Sequence, residues 1–158
     1  MKTIGFDGPS FAGKTTLIQH VASRLSGSFQ VVVLPDYAAF MGGASGLPKT
    51  PAPNEQAEVS ALESLLQLDK QRWIATLDGR SPDVVLLDRT VHTLAAHRFA
   101  LVHMGLFSPN LILQITQMIQ DSASGDLDHH FFVDTTDEQL SERGHRRPDT
   151  VPALYKQP

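Results

Sequence analysis

The sequence predicts an α/β protein, a three-layer sandwich in which a parallel sheet of four to five strands carries helices on both faces, in one domain over 1–158. Three observations predict it. Short apolar runs, Val31 to Leu34 and Val84 to Leu87 among them, alternate with stretches whose apolar residues recur at helical spacing. That alternation belongs to strands buried on both faces and joined by helical crossovers. A Gly/Pro/Ser-rich loop, Asp7 to Gly13, separates the first strand from the first helix. Finally, 158 residues with 41% hydrophobic and 19% charged side chains can bury one ordinary core.

Each element has its own signal. Thr3 to Phe6 reads as a strand, and after the loop Leu17, Ile18, Val21, Ala22 and Leu25 share one helical face that Gly27 stops. Phe29 to Leu34 is a second strand, closed by Pro35. Ala38 to Pro53 has no periodicity and several Gly and Pro residues, which predicts a mobile loop. A long helix follows from Asn54 to about Leu77, with Val59, Leu62, Leu66 and Trp73 on one stripe. Asp83 to Leu87 is the third strand, Val91 to Met104 and Asn110 to Ile119 are helices, and Phe131 to Val133 is the fourth strand. Thr136-Asp137-Glu138-Gln139 has the form of a capping box.

Composition excludes several functions. No run approaches the roughly 20 apolar residues of a membrane span, and no signal-peptide core follows Met1. Zero cysteines exclude a disulfide scaffold, a Cys-based zinc site and a thiol nucleophile. A net charge of −4, from 17 acidic and 13 basic residues, argues against a sequence-independent nucleic-acid binder. The expectation is a cytoplasmic protein without a membrane or nucleic-acid partner; the oligomeric state is open, a homodimer included.

Gly8-Pro9-Ser10-Phe11-Ala12-Gly13-Lys14-Thr15 fits G-x-x-x-x-G-K-[ST] without departure and lies between a strand and an amphipathic helix. In such a loop successive backbone N–H groups wrap a phosphate chain, and the helix N-terminus adds its positive dipole end. Thr16 continues the phosphate-facing turn. Lys14 reaches the β- and γ-phosphates of ATP, and the Thr15 hydroxyl ligates Mg²⁺. Val84-Val85-Leu86-Leu87-Asp88 is an apolar strand ending in an acid, which places Asp88 in the ligand crevice of a parallel sheet, facing the same Mg²⁺. The alternative for Asp88 is a cap of the following helix.

From here the chain resembles a family. Asp7-Gly8-Pro9-Ser10 through Lys14 is similar to the opening of nucleoside monophosphate kinases, and Asp88-Arg89-Thr90 resembles the Asp-Arg motif of thymidylate kinases and the Glu-Arg-Ser of deoxynucleoside kinases. Phe131 to Asp134, followed by Glu142-Arg143-Gly144-His145-Arg146-Arg147, resembles their last strand and Arg-rich lid, here about 141–150. The resemblance implies a P-loop NTPase sandwich with the Asp88 strand beside the P-loop strand, and an ATP- and Mg²⁺-dependent kinase acting on a small-molecule acceptor. It also implies that Arg89 touches the acceptor and that Arg143, Arg146 and Arg147 close over the transferred phosphoryl group. The family's usual fifth strand and last helix have no room in the segment from Asp149 to Pro158.

Asp36 stands near the acid that in deoxynucleoside kinases takes the proton of the attacking hydroxyl, but it follows Pro35 instead of preceding a proline. Asp36 is therefore a base or acceptor contact, or else a loop acid. Tyr37 and Phe40 stack on an aromatic acceptor or half-bury in their loop. Arg72 either grips the acceptor or forms a helix pair with Asp69, with Trp73 in the core. His92, His97 and His103 are five and six residues apart and cannot converge on a metal from one helix, and His129-His130 precedes the fourth strand.

A GTPase switch would need Asn-Lys-x-Asp, but Asn54 and Asn110 precede Glu and Leu. A transporter-type ATPase would carry Leu-Ser-Gly-Gly, which is absent. Among Lys49, Lys70, Arg72, Arg80, Arg89 and Arg98, only Arg72 and Arg89 are expected at the crevice. With Asp36 adding negative charge there, a neutral hydroxyl acceptor is favoured over a nucleoside monophosphate. A non-catalytic nucleotide-binding module is the third reading.

Overall fold

A computed structural model describes residues 1–122, 127–136, 138, 139 and 142. Four strands, β1 (Lys2–Asp7), β2 (Val31–Leu34), β3 (Val84–Asp88) and β4 (His129–Phe132), form one sheet in the order β2-β3-β1-β4. All three pairings are parallel, with Lys2 to Phe6 opposite Val84 to Asp88 and Val31 to Leu34 opposite Val84 to Leu87. The chain is thus an α/β protein of the expected class, with β3 beside β1.

Alternation along β3 explains the layers. Val84 and Leu86 join Phe6 and Ile18 under α1 (Lys14–Leu25), while Val85 and Leu87 join Val32 and Leu34 against Trp73 and Leu77 of α3 (Glu55–Leu77). A strand buried on both faces has to be apolar throughout, and all five residues of β3 are buried. A third cluster, with Leu62, Leu65, Leu94, Leu111 and Ile115, joins α3 to α4 (Val91–His103) and α5 (Asn110–Gln120). Among the described residues no helix is long and apolar enough to cross a membrane.

Three elements differ from expectation, the simplest being β2, which begins at Val31 and not at Phe29. The fourth strand begins two residues early, at His129 and not at Phe131, because its register is set by β1: Ile4 pairs with His129, and the Asp128 carboxylate accepts from Thr3 N at 2.8 Å. Every residue of this edge strand is exposed, so no apolar pattern marks it, and His129 and His130 lie within the strand. The expected loop from Ala38 begins instead as a short helix, α2 (Tyr37–Phe40), because the Asp36 carboxylate accepts from Ala38 N at 3.0 Å and caps it. Farther on, a 3₁₀ turn covers Ala44–Gly46, and buried Glu58 accepts from Ala52 N at 2.8 Å. The Thr136 hydroxyl accepts from Gln139 N at 3.3 Å, one half of the expected capping box.

Candidate functional site

The carboxyl ends of β1, β2 and β3 open into one continuous cleft lined by residues 8–16 of the P-loop and by Asp36, Tyr37, Asp88, Arg89 and His97. The loop's shape is set by backbone requirements. Gly8 has φ +138°, and a Cβ there would lie 2.2 Å from the Val133 carbonyl oxygen, so only glycine fits between β1 and β4. Phe11 and Gly13 also take positive φ, 67° and 92°. Gly13 then hands over to α1, whose first residue is Lys14.

Lys14 is 5% exposed and folds back over the loop, its Nζ donating to the carbonyls of Gly8 at 3.0 Å and Pro9 at 2.7 Å. Burial and the neighbouring Arg89 pull its pKa down to about 8 against the opposing attraction of Asp88, Asp36 and Asp7. Next to it, the Thr15 hydroxyl donates to Asp88 Oδ2 at 2.5 Å. Asp88 Oδ1 is buried and has no hydrogen-bond partner among the described residues. Burial pushes the Asp88 carboxyl above the usual range, with Asp36 adding to it and Thr15, Lys14 and Arg89 opposing. An uncapped carboxylate oxygen beside a hydroxyl is the oxygen donor set that Mg²⁺ takes, so these residues fit the ion.

Across the cleft, Arg89 Nε donates to Asp36 Oδ2 at 2.9 Å and its Nη2 to Ser10 Oγ at 3.0 Å. Arg89 takes φ 69°, and its N–H donates to the Phe6 carbonyl at 3.0 Å. That left-handed turn at the end of β3 swings the side chain over the P-loop. The structure therefore brings Lys14, Thr15, Asp88, Arg89 and Asp36 together, although they come from three separate segments.

Arg72 and Tyr37 have other roles than an acceptor contact. The Arg72 guanidinium is fully buried, paired with Asp69 at 2.9 Å and lying 4.1 Å from the centre of the Tyr37 ring. Its Nη atoms donate to the carbonyls of Pro35, Asp88 and Arg89. Tyr37 is 3% exposed, and its hydroxyl donates to Asp69 at 3.0 Å. A buried guanidinium whose Nη atoms are taken up by protein acceptors does not grip a substrate, and one face of the Tyr37 ring is taken up by that guanidinium. Phe40 packs on the helical core. Arg143, Arg146, Arg147 and nearly all of the expected lid lie outside the described residues.

Sequence reasoning missed two clusters. Asp7, just before the P-loop, accepts hydrogen bonds from Thr90 N at 2.9 Å and from the Thr90 and Thr93 hydroxyls, and meets His130 Nε2 at 2.6 Å. Burial acts to raise its pKa, but these hydrogen bonds outweigh it and hold the carboxyl below the usual range. The local signal was an acid at the end of a central strand and two threonines three apart after Asp88. The second cluster is the buried Glu58–Arg98 pair, 3.1 Å apart, which the Thr50 hydroxyl joins to the His97 ring.

No family model and no curated protein matches the sequence. Among solved structures, the chain is similar to deoxyadenosine kinase from M. mycoides, crystallised with the products dCMP and a flexible dCDP, with a TM-score of 0.60 at 14% identity over 97% of this chain and 77% of that one. The likeness is one of fold: a four-stranded parallel sheet flanked by helices, the P-loop kinase fold.

Proposed function

We propose that the chain is an ATP-dependent phosphotransferase whose acceptor is the hydroxyl of a nucleoside-like small molecule. The observation that carries this reading is the Asp36–Arg89 pair, 2.9 Å apart, lining the same cleft as Lys14 and the Thr15–Asp88 pair. One side of the cleft is built to hold a triphosphate and the other to hold what receives its last phosphoryl group.

The roles follow from chemistry. Backbone N–H groups of the Gly8 to Thr15 turn and the α1 N-terminus hold the phosphates, and Lys14 places its charge at the β- and γ-oxygens. Mg²⁺, when bound, offsets the charge that builds on those oxygens; Thr15 and Asp88 are the residues that would hold it. Asp36 accepts the proton of the attacking hydroxyl, and Arg89, 2.9 Å away, holds that carboxylate in place. Arg143, Arg146 and Arg147 are assigned by sequence resemblance to close over the transferred group. The deoxyadenosine kinase likeness supports a nucleoside kinase-like reading at the level of fold.

Charge favours a hydroxyl over a monophosphate. A second dianion needs spare cations, but the buried Arg72 is committed to carbonyls and Asp69, and Arg89 is already paired with Asp36. Steady-state kinetics with Mg·ATP and matched nucleosides and nucleoside monophosphates test the reading. Transfer to the nucleosides is expected. A kcat/KM preference for the monophosphates overturns the acceptor class, and ATP binding without any transfer reduces the chain to a nucleotide-binding module.

A further inference from the structure

We propose that Arg72 is a positioning residue for phosphoryl transfer: its buried guanidinium locks the carboxyl ends of β2 and β3 together and so fixes Asp36 and Arg89 at the reacting centre. The proposal rests on the roles given above to those two residues. Arg72 donates through Nη1 to Pro35 O at 2.8 Å and Asp88 O at 3.1 Å, and through Nη2 to Asp69 Oδ1 and Arg89 O, both at 2.9 Å. Pro35 immediately precedes Asp36 on the β2 side, whereas Asp88 and Arg89 lie at the end of β3.

The choice of residue is informative. A purely structural core position could be filled by a hydrophobe with no charge to desolvate. Four acceptors divided between two Nη atoms call instead for a guanidinium fork, which lysine, a point charge on a flexible stem, does not supply. Three of the acceptors are strand-end carbonyls beyond the last pairing of β2 with β3, and without Arg72 they lose that donor. One of them belongs to Arg89, held at φ 69°, a conformation that a side-chain-bearing residue keeps only when its surroundings enforce it. That backbone conformation aims the Arg89 guanidinium at Asp36 and Ser10. Tyr37 covers the fork from above, and Asp69 sets its rotation.

The test uses the full chain with Arg72→Lys, and Asp69→Asn as a milder variant that keeps the guanidinium but removes its charged partner. Expected are a fall in kcat of about a hundredfold, the cost of a small misplacement of reacting groups, an unchanged KM for ATP, and a shifted or broadened Arg89 Nε–H resonance. In a double-mutant cycle, Arg72→Lys should then cost little in the Asp36→Asn background, leaving the double variant about as slow as Asp36→Asn alone. Additive losses, an unchanged Arg89 resonance, or a lower Tm with full kcat in the folded fraction would overturn the proposal. If Arg72→Lys does not fold, the same outcomes are read in Asp69→Asn. If the wild-type protein transfers no phosphoryl group, the functional reading fails and the Arg89 resonance alone decides whether Arg72 positions it.

Discussion

The two ends of the cleft carry similar numbers of charged side chains and leave them in different states. At the phosphate end Asp88 Oδ1 has no hydrogen-bond partner among the described residues, and Lys14 Nζ rests on two backbone carbonyls. At the acceptor end Asp36 and Arg89 bind each other, Asp36 also caps α2, and Arg89 also holds Ser10. Buried polar groups are normally satisfied, so an orphaned carboxylate oxygen and a lysine resting only on carbonyls mark where a ligand completes the structure. At the acceptor end Asp36 and Arg89 satisfy each other without a ligand. That end is suited to a neutral group that adds one hydrogen bond and displaces none.

The largest loss is expected at the phosphate end. Lys14→Ala should abolish measurable turnover and ATP binding by calorimetry while leaving Tm without nucleotide unchanged or raised, because it removes a buried charge. Normal phosphorylation by this variant would break the assignment of the phosphate end.

Asp36→Asn probes the opposite end. Loss of the proton acceptor should lower kcat about a thousandfold, within the range of general-base catalysis. ATP affinity should hold, since Asp36 touches Arg89 and the α2 backbone but no P-loop amide. Weaker ATP binding in this variant would show that the two ends do not act separately. The third effect is smaller: Asp88→Asn keeps an acceptor for Thr15 but removes the charge, so turnover should fall about a hundredfold with the fold intact. A Mg²⁺ titration should show the loss as a higher requirement for the metal; an unchanged requirement would remove Asp88 from the metal site.

The same contrast explains what the sequence revealed. The P-loop was legible because a phosphate cradle needs its glycines, lysine and threonine at fixed local spacing, and β3 because burial on both faces writes an unbroken apolar run. The acceptor end is made of long-range pairings: Asp36 and Arg89 are 53 residues apart, and Asp7 meets partners 83, 86 and 123 residues away. No local pattern encodes these. Sequence leaves Arg72 with two readings, an acceptor contact or a helix pair with Asp69, because an arginine near a crevice looks the same whether its fork faces substrate or strand-end carbonyls; the structure forms the Asp69 pair. Edge strand β4 starts two residues before the expected position because all four of its residues are exposed, so its register comes from β1 and not from an apolar pattern of its own.

The smallest effect, and the sharpest test of the unsatisfied end, is in pH. The Lys14 pKa is about 8 in the folded chain, against 10.5 ordinarily. Between these values the unfolded chain binds more protons, so this group makes stability rise with pH from about 8 upward. The rise ends near 10, because burial holds the Tyr37 hydroxyl well above its ordinary value of 10.0, so it keeps a proton that the unfolded chain loses. ATP reverses the Lys14 shift, since its phosphates favour the ammonium form. Binding should therefore take up a proton near pH 8, and affinity should fall toward tenfold per pH unit above it while staying flat below. Calorimetry in buffers of different ionisation enthalpy measures that uptake directly. If binding takes up no proton at pH 8, Lys14 is already fully charged in the free protein, and the phosphate end is as well satisfied as the acceptor end.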